Sequence, residues 1–165
     1  LTAETANLPL IRQMIWNVAY GEGWAVYGEI LAHDRGLYTD DPLGRIGFLQ
    51  SMLFRAARLV ADTGMHRDHW TRQQAIDYLA ETTGQSPEAM AQEVDRYAVW
   101  PGQAAAYWVG AQRILDLRER SQRVLGPDFD LAEFHAVVLG GGPRPLSLLE
   151  RDVERWYISK VDLSN

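Results

Sequence analysis

Apolar side chains recur at three- and four-residue intervals along almost the whole of this chain, and no sustained period-two alternation interrupts them. The pattern predicts helices throughout. Asn7 with Pro9 marks a first helix, lined by Ile11, Met14, Ile15, Val18, Ile30 and Leu31 and running to about Asp34, with Gly36 as its stop. Asp41-Pro42 opens a second that carries Leu43, Ile46, Leu49, Leu53, Ala57 and Val60 and closes at Gly64. Thr71-Arg72-Gln73-Gln74 is a capping box for a third, ending near Gly84. Ser86-Pro87-Glu88 starts a fourth that stops before Pro101, and a fifth runs from Pro101 or Gly102 to Gly126. Asp130-Leu131-Ala132-Glu133 is another capping box, and Leu146, Leu149, Val153 and Trp156 belong to a last helix. The expectation is an all-α fold, a single helical domain over residues 1–165 with about six or seven helices.

One stretch does not fit a plain amphipathic helix. Glu22-Gly23-Trp24-Ala25-Val26-Tyr27-Gly28-Glu29 sets two carboxylates seven residues apart on one face of an apolar segment. Burying a carboxylate there is expensive unless a metal ion, an arginine or solvent meets it. A solvated stripe is the ordinary account of such glutamates. Gly21, Gly23 and Gly28 argue against it: each costs about 1 kcal/mol relative to Ala inside a helix, which makes sense where another backbone or a ligand approaches closely.

Composition narrows the function. A chain of 165 residues with 47% apolar and 23% charged residues can build an ordinary globular core. A net charge of −6 and the lack of a dense basic patch make nucleic acid an unfitting partner. No cysteine is present, which removes disulfides and thiolate metal sites. No apolar run reaches the ~18 residues that a membrane span needs. The chain does not begin with Met, so it is expected to be a fragment of something longer. Compartment stays open between cytoplasm and cell envelope.

The candidate chemistry is scattered. Gly140-Gly141-Gly142-Pro143-Arg144-Pro145 has no Gly-Lys-Ser/Thr after it and no strand before it, so it reads as a turn and not a phosphate loop. No two of His33, His66, His69 and His135 have the i, i+4 spacing that grips a metal from one helix face, and His66 and His69 are expected in a loop. Arg55 and Arg58 sit among apolar neighbours, and Arg58 could pair with Asp62 one turn on or aim at a substrate carboxylate. Arg96-Tyr97-Ala98-Val99-Trp100-Pro101-Gly102-Gln103 breaks one helix and starts another whose first N–H groups lack partners. Gln103 and Tyr107, four apart, can share a cleft or equally belong to an aromatic core.

Four segments then occur in order: EGWAVYGE, FRAARLVADTGMH, RYAVWPGQAAAYWVG and FHAVVLGGGPRPLSLLE. Together they resemble the C-terminal half of the bacterial proteins grouped as domain of unknown function 885, over nearly the whole chain. That family looks like zinc-dependent metallopeptidases of the all-helical gluzincin kind, with an upstream His-Glu-x-x-Pro-Gly-His segment followed by Glu-Gly-Trp-Ala. The upstream segment is absent here.

The resemblance implies roles. Glu22 is the downstream zinc ligand and Glu29 supports it. His66, Tyr97 or Tyr107 stabilises the oxyanion, and Arg58 or Gln103 holds a peptide-like substrate. Zinc belongs to the longer parent and is not expected on this piece alone, since a catalytic zinc needs about three protein ligands. The missing N-terminal portion of the same protein is the expected partner, and an exposed cleft wall near Glu22, Trp24 and Tyr97 would invite self-association. The alternative is a non-catalytic helical binding or interaction module.

Overall fold

The computed structural model describes residues 8–163 and is all-α, with no strand among the described residues. Its helices are α1 (Leu10–Met14), α2 (Val18–Asp34), α3 (Pro42–His66), α4 (Arg72–Thr83), α5 (Pro87–Val99), α6 (Gln103–Leu125), α7 (Leu131–Gly140) and α8 (Leu146–Leu163), with a short 3-10 turn at Gly126–Asp128. Eight α-helices among the described residues exceed the expected six or seven because the first one breaks. Asn7 lies outside the described residues. Ile15 turns extended at φ −94° and ψ 120°, and the Asn17 side chain accepts the Tyr20 N–H at 3.2 Å, so a second helix starts within what reads as one.

The other caps follow the sequence closely. Asp41 accepts from the Gly44 N–H at the start of α3. Thr71 and Gln74 form the reciprocal capping box of α4, and Gly84 closes that helix at φ 70°. Ser86 caps α5 and Asp130 caps α7. Gly64 does not close α3, which continues to His66. Instead the Trp70 indole lies on the bare Gly64 backbone, where a Cβ would come within 2.4 Å of the ring. His66 is therefore helical, while His69 sits in the loop with φ 58°.

The chain divides into two compact units: residues 1–24 with 110–165, and residues 25–109. In the second unit Ala57 and Ala61 of α3, Ala75, Ile76 and Leu79 of α4, and Met90, Val94 and Tyr97 of α5 form one buried cluster with Ala104 of α6. In the first unit Ile114 and Leu117 of α6, Phe134 and Val138 of α7, and Leu149 and Val153 of α8 are fully buried. There the backbones of Gly23 and Gly110 meet: a Cβ on Gly23 would fall 2.4 Å from the Gly110 carbonyl carbon. The Gly140–Pro145 segment is a turn, folded around Arg144, whose buried guanidinium donates to the Gly142 and Val137 carbonyls and lies 3.0 Å from Asp152.

Candidate functional site

The sequence-selected residues are divided between the two units: Glu22 belongs to the first and the others to the second. Glu22 lies on α2 in the first unit, half-buried, on the helix position just before the Gly23–Gly110 backbone contact. Among the described residues no hydrogen bond or ion pair engages its carboxylate. The same helix stretch also carries Tyr20, which donates to the Val138 carbonyl at 2.9 Å, and Trp24, whose ring meets His135 edge-on at 5.4 Å. A small apolar cavity of about 90 Å³ lies between Trp16, Tyr20, Gly21, Trp24 and Leu139.

Glu29 belongs to the second unit, and its cation is an arginine. Arg55 Nη1 and Nη2 donate to Glu29 Oε2 and Oε1 at 2.9 and 2.8 Å, a fork-to-fork pair, and Arg55 also reaches Ser51. Such planar bidentate pairing fixes both side chains. With Glu29 about a third exposed, the pair contributes only about 1 kcal/mol.

Arg58, His66, Tyr97, Gln103 and Tyr107 come together in the second unit. Arg58 is 6% exposed, and its guanidinium carbon stands 4.8, 5.3 and 5.7 Å from the ring centres of Tyr107, Phe54 and Tyr97. Cation–ring contact of this kind offsets part of the desolvation cost. Its counter-ion is Glu93 at 3.8 Å, beyond hydrogen-bond reach, so Arg58 Nε and Nη2 are buried donors without an acceptor. Glu93 is held by others: Arg96 Nη2 at 2.6 Å and the Tyr97 hydroxyl at 3.0 Å. Arg96 Nη1 donates to Gln103 Oε1 at 2.5 Å, and Gln103 Nε2 reaches the Tyr107 hydroxyl at 3.5 Å.

Charge and burial set the titration of this cluster. Burial pushes the Glu93 carboxyl up, but hydrogen bonds and charge from Arg96, the Tyr97 hydroxyl and the Arg58 charge outweigh it, and the group ends below its ordinary range. Burial raises the Tyr97 phenol well above its ordinary value; Glu93 adds to this, while the Arg58 and Arg96 charges oppose it. Tyr97 is thus a neutral donor already committed to Glu93. Tyr107 keeps its own O–H uncommitted among the described residues.

Asp62 does not take the part that its spacing from Arg58 suggests. Its buried carboxylate accepts the Gly102 N–H at 3.0 and 3.2 Å, capping the approach to α6, and stands 3.5 Å from His66 Nε2. The amide of that new helix start at Gly102 is therefore partnered. His66 Nε2 also lies 3.0 Å from the Tyr97 carbonyl oxygen, which can only accept, so that nitrogen carries a proton. Glu93 is the residue of this cluster that sequence reasoning missed, while Asp62 was named only as a partner for Arg58. Glu93 was within reach of that reasoning, since Glu93, Arg96 and Tyr97 stand at i, i+3 and i+4 on one helix.

With this geometry in place, the comparisons with known proteins give the class. The chain belongs to a family of bacterial proteins of unknown function, DUF885, which it matches over residues 1–153. Among solved structures it is similar to the putative lipoprotein from Colwellia psychrerythraea, at 47% identity and a TM-score of 0.92, matching 96% of this chain to 27% of that one. It is also similar to a putative lipoprotein of unknown function from Shewanella oneidensis, at 25% identity and a TM-score of 0.83, with 91% of this chain on 27% of that one. The chain thus spans 27% of the length of each of these structures. No curated protein matches it. Among the described residues no helix is long and apolar enough to cross a membrane.

No three His, Cys, Asp or Glu side chains among the described residues are grouped closely enough to hold a metal. Glu22 offers one carboxylate where about three protein ligands are needed.

Proposed function

We propose that this chain is the C-terminal part of a longer, zinc-dependent peptidase-like hydrolase. In it Glu22 is one metal ligand, and the Arg58 cluster forms the substrate and oxyanion side of the cleft. The remaining ligands come from a His-Glu-x-x-Pro-Gly-His segment elsewhere in the longer protein, and the piece alone is inactive. The observation that supports this reading most is Arg58. A buried guanidinium with two donor atoms left without an acceptor is costly in a purely structural role, and the carboxylate of a substrate that enters the cluster is the kind of group that would use them. Gln103 and Arg96 steady the neighbouring polar groups, Tyr107 is the donor free to meet an oxyanion, and Tyr97 and His66 hold the frame around it.

The test uses the protein at its full natural length. Elemental analysis is expected to give one zinc per chain, together with peptide hydrolysis. Glu22→Ala should abolish both, and Glu29→Ala should weaken zinc binding by only about 10–100-fold, as loss of a group that supports a ligand does. Zinc held equally well without Glu22 overturns the assignment. A full-length protein with neither zinc nor hydrolysis points to the non-catalytic binding module instead.

A further inference from the structure

α3 carries an apolar stripe that is left exposed along its length. Leu43, Ile46, Leu49, Leu53 and Val60 fall within about a third of the helix circumference at ~100° per residue. Along the later part of α3, α4 packs on an adjoining face: Ala57 and Ala61 pack with Ala75, Ile76 and Leu79, and Trp70 lies on Gly64. α4 ends at Thr83, beside Gln50, Ser51 and Phe54. The stripe itself lies in solvent, with exposure from 41% at Val60 and 44% at Leu53 to 80% at Leu43. A row of four large aliphatic side chains on about three turns of helix is more than a settled monomer surface usually leaves open.

We infer that the Leu43–Leu53 face is a docking seat for an apolar helix from the part of the longer protein that lies outside these 165 residues. The solved relatives supply the reason for that occupant. This chain accounts for 27% of each, so most of their fold is contributed by other sequence. The covering element lies beside the α3–α4 pair: a helix laid along this face would bury the row by ridge-and-groove packing. The inference rests on the part of that reading that makes this chain a piece of a longer protein and on no chemistry at Glu22 or Arg58, so a loss of zinc or hydrolysis alone leaves it standing.

The chain has no cysteine, which makes single-cysteine labelling direct within it. In the full natural-length protein, Leu49→Cys and Leu53→Cys are expected to react with a maleimide at least tenfold more slowly than Asp77→Cys on the exposed side of α4, at every protein concentration. Peptide mapping assigns the labelled position. Equal rates overturn the inference. Protection that fades on dilution assigns the face to a second copy and also overturns it, as does a natural coding sequence that stops at these 165 residues. Should the cysteine variants fail to fold, hydroxyl-radical footprinting of the unaltered protein reads the same four side chains. Oxidation well below that of the isolated peptide supports the seat, and oxidation equal to it removes the proposal.

Discussion

At the scale of single residues, Glu93 carries the most load for its exposure. It takes hydrogen bonds from Arg96 and Tyr97 while facing the buried Arg58. Its folded carboxyl titrates below the ordinary value, so the fold favours the charged form. The stabilisation is complete above the unfolded carboxyl's range and is lost as pH falls through the lower folded value. Glu93→Gln should therefore lower unfolding stability near neutral pH by about 1–3 kcal/mol, typical of hydrogen bonds to charged groups. The gap from wild type should close in urea titrations carried below that range; a gap unchanged down to acid pH would mean that packing, not charge, is at stake. A second residue-scale contrast concerns two glycines of one helix. Gly23→Ala drives a methyl into the Gly110 backbone and should cost about 1–3 kcal/mol. At Gly28 a Cβ meets nothing within 4 Å, so Gly28→Ala should stabilise by about 0.5–1 kcal/mol. Denaturant midpoints of the two variants moving in the same direction would refute this account.

At the scale of elements, caps decide where helices begin, and most caps are local enough to read from sequence. Thr71 with Gln74, Ser86 and Asp41 act as their spacing implies, whereas Asp130 caps α7 without the return bond of a capping box, the Glu133 carboxylate pairing with Lys160 instead. The break between α1 and α2 was hidden because Asn17 stands within an unbroken apolar period, where nothing local says that its side chain will turn back to the Tyr20 N–H. Asn17→Ala is expected to cost about 1 kcal/mol, as loss of an N-cap does, and Thr71→Ala a similar amount. Thermal melts of both variants check this. An Asn17→Ala protein as stable as wild type would show that packing of Trp16 on Gly21, and not the cap, sets the break.

At the scale of the whole molecule, the all-helical class was legible because periodicity and capping are sequence-local, whereas the partners of charged groups were not. Arg58 was singled out, yet its spacing pointed to Asp62, and the fold instead turns Asp62 toward Gly102 and leaves Arg58 facing Glu93 from another helix. The expected open cleft wall is likewise uneven: Tyr97 is buried, while Leu10, Ile11, Met14, Ile15 and Trp16 around α1 and the Leu43–Leu53 row on α3 are exposed. With those faces open, the 165-residue chain is expected to associate in sedimentation velocity as concentration rises, despite its net charge of −6. A single monomer boundary at high concentration would count against the exposed rows being contact surfaces.

The Gly23–Gly110 crossing has a consequence for Glu22. Where two helices touch backbone to backbone, neither can slide by a residue or roll about its axis, because either motion brings a side chain into a gap with no room for one. The compass bearing of the next side chain along α2 is thereby fixed by the absence of a side chain at Gly23. In the metal-ligand role proposed for Glu22, the backbone that carries it is already in place and only the side-chain torsions are left to order.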